Sequence, residues 1–566
     1  MYEGPIRREF DPLEADRAFH AAIGRLTGGL SPTALGEAWY DWAMHLAGSP
    51  SKQGELAALA GQIPGRLART VSRSLAGKGP VRALSGDPRF DAPDWQALPF
   101  ALYADAFLAT QDWWDRATTG LRGVDPRHRD VVRFGARQWL DMMAPSNFAA
   151  TNPVVLRRTI EEGGANLRRG LRNQVEDLSH FLTGKVERSE AYRVGETVAV
   201  TPGDVIYRNR LIELIRYRPV TETVQGEPVL IVPAWIMKYY ILDLSPANSL
   251  ISFLVERGFE VFVISWKNPG SGEADLGLQH YVDLGIRAAL DEIARRVPER
   301  KVHAVGYCLG GTLLATAAAA MARDGADRLA TATLLAAQVD FSEPGEIGLF
   351  INESQVAFLE DIMAEQGYLR ADQMSGAFRM LRSGDLVWSR VVRHYLLGER
   401  TETNDLMAWN ADSTRMPARM HSEYLRQLFL GNALALGRFE VDGRPVALEA
   451  VELPLFVVAT EADHVSPWKS VWKIGRMTPG PMRFLLTKGG HNAGILSEPG
   501  HPRRHYRVGD VSRPYADPEE WFAATKPRKG SWWPEWTNWL AAHSGEARPP
   551  SEGPALGPAP GTYVMG

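Results

Sequence analysis

Cysteine occurs once in the 566 residues, at Cys308, inside the string Gly306-Tyr307-Cys308-Leu309-Gly310-Gly311. Small residues on both sides of a nucleophile are what a sharp strand-to-helix turn requires, because a Cβ at the flanking positions would collide with the turn. A lone free cysteine is more often a small buried hydrophobe, so the weight of the reading lies in the glycine frame around it. Attack by a thiolate on a thioester exchanges one thioester for another, so the acyl group stays activated and passes downhill to an alcohol. Acyl transfer from a thioester to a hydroxyl is the chemistry such a residue suits, provided water is excluded.

Two later strings supply partners. The strand-like run 455–460 leads into Glu461-Ala462-Asp463-His464, and the run 482–487 leads into Lys488-Gly489-Gly490-His491-Asn492. In an α/β-hydrolase the acid and then the histidine follow the nucleophile, each in a loop at the carboxyl end of a strand. Asp463 is therefore the expected acid and His491 the expected base. Glu461 is an alternative acid and His464 an alternative base, although a side chain adjacent to Asp463 is expected to point elsewhere. The oxyanion hole should combine the backbone N–H of Leu309 with one from the loop 233–237, at Ala234 or Trp235. A helix starting after Cys308 would turn its positive end toward the sulfur, and a neighbouring His491 would further favour the thiolate.

The elements that must carry these residues are legible in the apolar pattern. From about Ala191, strand-like runs at 228–232, 260–266, 301–305, 330–336, 455–460 and 482–487 alternate with helices, as in a parallel sheet covered on both faces. The expected fold is an α/β-hydrolase core, 191–340 and 452–545, with a parallel-dominated sheet. The interval 341–451 is too long for a loop in such a core and reads as an inserted helical cap. Residues 1–190 show helical periodicity, at 101–114, 131–143 and 156–171, and form the expected N-terminal domain. Gly77-Lys78-Gly79-Pro80 and Gly86-Asp87-Pro88 punctuate it, so the first 80 or so residues are expected to be loosely attached. Residues 546–566 read as an extended, irregular tail.

Lys and Arg (63) nearly balance Asp and Glu (67), for a net charge of −4. No global field favours nucleic acid. The start Met1-Tyr2-Glu3-Gly4-Pro5 lacks the basic and apolar regions of a signal peptide, apolar runs are far too short to span a bilayer, and one cysteine allows no internal disulfide. A cytoplasmic enzyme without a transmembrane segment is the expectation.

Beyond the cysteine string, Asn147-Phe148-Ala149-Ala150-Thr151-Asn152-Pro153, Lys238-Tyr239-Tyr240-Ile241-Leu242-Asp243-Leu244, Ser265-Trp266-Lys267-Asn268-Pro269, Trp409-Asn410-Ala411-Asp412-Ser413-Thr414, Asp463-His464 and Gly530-Ser531-Trp532-Trp533-Pro534 follow one another along the chain. Together, over roughly 85–545, they resemble the polyhydroxyalkanoate synthases, in that family's order. The resemblance implies a cytoplasmic polymerase that takes (R)-3-hydroxyacyl-CoA, releases CoA, and builds a polyester that accumulates as granules. Cys308 would carry the growing chain as a thioester, His491 would deprotonate the thiol and the incoming 3-hydroxyl, and Asp463 would orient His491 or help activate that hydroxyl. No cofactor is implied, CoA being the leaving group. The resemblance further implies a homodimer with a movable cap, a single-subunit enzyme of the poly-3-hydroxybutyrate type, and an N-terminal region that meets the granule surface or granule-associated proteins. Chain length leans toward short-chain monomers. By analogy with other lids, Trp409 and Asn410 would either line the substrate passage or simply pack the cap. Many members carry a cysteine in the loop after the first core strand, where this chain has Pro233-Ala234-Trp235, a departure that bears on the oxyanion assignment and not on the triad.

Two other readings use the same residues. A thioesterase or lactone hydrolase would hand the acyl group to water, and a granule-coating scaffold would use no chemistry at all; an intact Cys308, Asp463 and His491 in register argues against the latter.

Overall fold

The computed structural model describes residues 12–78, 86–183, 191–374, 387–400, 402–511 and 517–566. Gly79 and Pro80 of the first punctuating string fall outside them.

Eleven strands form one mixed sheet: β1 (Gly203–Arg208), β2 (Ile212–Tyr217), β3 (Val229–Val232), β4 (Val261–Trp266), β5 (Val302–Tyr307), β6 (Leu329–Leu335), β7 (Leu455–Thr460), β8 (Met482–Thr487), β9 (His505–Asp510), β10 (Arg528–Lys529) and β11 (Gly557–Pro558). Their order is β10-β9-β8-β7-β6-β5-β3-β4-β2-β1-β11. The stretch from β8 to β4 is parallel throughout. Sequences such as Val229–Val232 and Leu455–Thr460 are buried at every residue, which is why they read as unbroken apolar runs. The chain is an α/β-hydrolase core, and its sheet reverses strand order around β3 and β5, where such folds place their ligands beyond the carboxyl ends of the strands.

The flanking strands β1, β2, β9, β10 and β11 are antiparallel additions that the apolar pattern does not reveal. Strand β2 carries Glu213 and Arg216 among its apolar residues, and Glu213 is fully buried. The interval after Ser544 is extended, as its composition suggests, but it is not loose. Glu260 accepts hydrogen bonds from Ser551 Oγ and from the Arg548 guanidinium, both at 2.6 Å. Glu213 accepts the N–H groups of Thr562 and Tyr563 at 2.8 and 2.9 Å, and β11 pairs with β1.

The chain divides into two compact units, one of Met1–Gly29, Arg188–Ser375 and Thr403–Gly566, the other of Leu30–Glu187 and Gly376–Glu402. The first holds the sheet. Helix α1 (Pro12–Thr27) belongs to it and packs on a helix of the expected cap, α9 (Glu353–Gln366). The second is helical, built from α2 (Pro32–Ala47), α3 (Pro50–Leu75), α4 (Phe100–Thr118), α5 (Pro126–Met142), α6 (Pro153–Glu161) and α7 (Ala165–Thr183). In place of a loosely attached segment, α3 is tied to α4: Asp105, buried, accepts from Arg66 Nε and Thr70 Oγ1 at 2.6 Å each, and Trp113 Nε1 donates to the Leu56 carbonyl. Asn166 and Asn173 of α7 donate to the carbonyls of Leu396 and His394, which draws this stretch of the expected cap into the helical unit. The two compact units thus cut across the expected segments 1–190 and 341–451, because helix packing brings together stretches that are distant in the chain.

Candidate active site

Strand β5 ends at Tyr307, and helix α8 (Leu309–Arg323) begins one residue after Cys308. The turn is so tight that Cys308 itself takes φ 52°, ψ −123°, a conformation that costs a non-glycine residue on the order of 1–3 kcal/mol and persists only where its surroundings enforce it. The glycines make that possible. A Cβ on Gly306 would lie 2.4 Å from the Cα of Gly311, and one on Gly310 would lie 2.1 Å from the Val232 carbonyl oxygen. Helix α8 therefore starts directly on the end of β3.

Asp463 follows β7 and His491 follows β8, and these parallel neighbours bring their loops side by side: the Glu461 and Ala462 N–H groups donate to the carbonyls of Thr487 and Gly489, each at 2.9 Å. His491 Nδ1 lies 2.8 Å from Asp463 Oδ2. The Asp463 side chain is fully buried and that of His491 is 11% exposed. The other carboxylate oxygen of Asp463 accepts the N–H groups of Val465 and Ser466 at 2.9 and 2.8 Å. Burial opposes ionisation of Asp463, but His491 and these donors outweigh it and hold its pKa below the usual carboxylate value. Burial likewise opposes a charge on His491, yet the hydrogen-bonded Asp463 and the nearby Cys308 raise its pKa well above the usual imidazole value. With Nδ1 committed to Asp463, Nε2 is the nitrogen left for the thiol. Asp463 and His491 are thus in contact, with Cys308 near the imidazole, the order of groups that a proton-relaying triad requires.

Of the alternatives, the Glu461 carboxylate is engaged by another histidine, and His464 is fixed through its main chain. Glu461 Oε1 pairs with His505 Nε2 at 3.3 Å, and the His464 carbonyl accepts the Glu346 N–H at 3.1 Å, with Gly345 packed against it. Ala234 and Trp235 are buried in the loop that follows β3. Gly310 rests on the carbonyls of Val232 and Pro233, which sets this loop beside the Leu309 N–H, a group at the start of α8 that has no intrahelical acceptor. The same loop holds residues 409–414 of the expected cap: Thr414 Oγ1 donates to the Trp235 carbonyl at 2.6 Å, Trp409 Nε1 to the Lys238 carbonyl at 2.8 Å, and Lys238 Nζ pairs with Asp412 at 2.9 Å. Trp409 is accordingly buried and fully engaged, whereas Asn410 is exposed. Neither is brought together with the triad.

Three neighbours of the site escaped the sequence reading. Burial and the nearby Cys308 push the Tyr424 hydroxyl well above its usual pKa; nothing marks Tyr424 in the sequence. Tyr307 donates to Asn492 Oδ1 at 2.5 Å, and each is the immediate neighbour of a triad position, the one signal available.

The family described as poly-beta-hydroxybutyrate polymerase (PhaC) N-terminus matches residues 86–254, a second described as poly-beta-hydroxybutyrate polymerase N terminal matches 11–52, and the alpha/beta hydrolase fold matches 227–498. The chain is 44% identical to the poly(3-hydroxyalkanoate) polymerase of Methylorubrum extorquens over 84% of its own length and 80% of that protein's. It belongs to the poly(3-hydroxyalkanoate) polymerase family. Two further relatives are called poly(3-hydroxyalkanoate) polymerase subunit PhaC. That of Rhizobium meliloti is 38% identical, covering 88% of this chain and 82% of the relative. That of Cupriavidus necator is 36% identical, covering 86% and 84%. Family membership makes the chain an acyltransferase-type enzyme of polyester synthesis. Among the described residues, no helix is long and apolar enough to cross a membrane.

Proposed function

We propose that the chain polymerises (R)-3-hydroxyacyl-CoA, with 3-hydroxybutyryl-CoA as the short-chain substrate, through a thioester on Cys308. The observation that carries this reading is the buried Asp463–His491 pair, Nδ1 to Oδ2 2.8 Å, with Cys308 on its strained strand-to-helix turn near the imidazole. His491 takes the proton from Cys308, the thiolate attacks the substrate carbonyl, and CoA leaves with the proton held by His491. His491 then takes the proton of an incoming 3-hydroxyl, whose oxygen attacks the acyl thioester; the bond to the Cys308 sulfur breaks, an oxoester forms, and the freed thiolate recovers the proton from His491. Asp463 holds the imidazole in the tautomer that both steps need. The Leu309 N–H and a donor from Ala234 or Trp235 stabilise the tetrahedral oxyanion. Atoms balance without a cofactor, since CoA is the leaving group. Trp409 acts in holding the cap, a reading supported by its hydrogen bond to the Lys238 carbonyl, while Asn410 lies exposed.

The enzyme is expected to work as a homodimer on the polyester granule in the cytoplasm, with granule-associated proteins as further partners. The test is to incubate purified protein with (R)-3-hydroxybutyryl-CoA and follow free thiol and acyl product, with Cys308→Ala as control. CoA release with insoluble polyester, absent in the variant, is the expected result. Release with free 3-hydroxybutyrate would make the acceptor water and overturn the proposal.

A further inference from the structure

We propose that Tyr307 and Asn492 form a positioning pair that sets the His491 ring against Cys308, an inference that rests on the triad reading above. The two residues are 185 positions apart in the chain, one at the end of β5 immediately before the nucleophile, the other immediately after the histidine. The Tyr307 hydroxyl donates to Asn492 Oδ1 at 2.5 Å. The Tyr307 ring lies 5.8 Å from the His491 ring, at an interplanar angle of 31°.

The geometry gives this pair a specific task. Asp463 grips His491 at one atom, Nδ1, and a single hydrogen bond leaves the imidazole able to tilt about it. A tilt of the ring moves Nε2 away from the sulfur. The tyrosine ring supports the imidazole from the side, and the hydroxyl anchors the tyrosine to the histidine's own loop. That loop is in turn fixed by main-chain hydrogen bonds from the Ile495 and Leu496 N–H groups to the Asn492 carbonyl at 3.1 and 3.2 Å. Tyr307 is only 2% exposed, so its hydroxyl needs a partner inside the protein. Burial, with Cys308 and Asp463 nearby, keeps that hydroxyl protonated and hence a donor. Neither residue touches the reacting atoms in this scheme; both act through His491.

The experiment is a double-mutant cycle on the full chain with Tyr307→Phe and Asn492→Leu. It reads kcat and KM for CoA release and the rate at which iodoacetamide alkylates Cys308. Tyr307→Phe keeps the ring and removes only the hydrogen bond. Each single variant is expected to lower kcat about tenfold, the rate equivalent of one lost hydrogen bond, with KM unchanged and alkylation slowed in parallel. The double variant should fall no more than about twofold below the worse single, as residues acting through one contact do. Losses that multiply to about a hundredfold, or a Tyr307→Phe enzyme whose kcat and alkylation rate stay within about twofold of the parent, would overturn the pairing. His491→Ala separates the two levels. If it slows alkylation and Tyr307→Phe does not, the pairing alone fails; if His491→Ala leaves alkylation unchanged, the triad reading falls and the pairing with it.

Discussion

The carboxylate of Asp463 is fully buried, and it meets His491 Nδ1 at 2.8 Å while its second oxygen is held by two backbone N–H groups. A carboxylate gripped in this way fixes the imidazole's tautomer as well as its place. Asp463→Asn should preserve the fold and lower kcat by about 10³ to 10⁴, because the amide presents a donor where His491 needs an acceptor. Steady-state CoA release checks this, and a loss below tenfold would argue that Asp463 is not the orienting group.

The glycines of the elbow make a separate prediction. A Cβ at Gly310 would come within 2.1 Å of the Val232 carbonyl oxygen and 2.6 Å of that of Pro233, and backbone cannot yield as a flexible side chain does. Gly310→Ala should destabilise the protein by more than about 3 kcal/mol and abolish CoA release. Gly272, with open space around its Cβ position, supplies the control: Gly272→Ala should leave the unfolding midpoint near that of the parent.

The segment 557–566 should be needed for stability. Glu213 is fully buried and is satisfied by the N–H groups of Thr562 and Tyr563, by Thr562 Oγ1 at 2.8 Å, and by Arg208. Removing residues 557–566 leaves a buried carboxylate with one partner, at a cost of about 3 kcal/mol or more. Thermal unfolding of the truncated chain should begin well below the parent. In the same truncated chain, Glu213→Leu should recover part of the loss.

Two buried histidines predict acid sensitivity. Burial lowers the pKa of His303, hydrogen-bonded to Thr331 and Ser544, to about 4, and that of His421, also by burial, to about 4. Between pH 6.5 and 4 the unfolded chain binds protons that the folded chain does not, so stability falls as pH falls through this window, by about 3 kcal/mol for each histidine over its full span. Above pH 6.5 neither contributes a slope. His421→Leu should flatten part of the decline in the unfolding midpoint between pH 6.5 and 4.5, and an unchanged pH slope would rule His421 out as a source.

What the sequence discloses and what it hides divide along physical lines. Strands β3 to β8 are buried along nearly their whole length, so mostly apolar composition announces them. The elbow is legible because its glycines are required locally, and Asp463 and His491 because each sits where a strand ends. Strand β2 is hidden because buried charge breaks its pattern: Glu213 looks like a surface residue until the partners contributed by Thr562 and Tyr563 are known. The Tyr307–Asn492 contact is hidden for a similar reason, since neither residue signals the other across 185 positions.

The stitching of Trp409, Asp412 and Thr414 to the loop after β3 has a mechanical corollary. That loop also bears the weight of α8 at Gly310, so this stretch of cap is bolted to the same bracket as the nucleophile. On the function proposed above it would serve as a doorpost and not as the door: a swing admitting substrate would leave residues 409–414 in place, because moving them would disturb the loop on which the Cys308 helix rests.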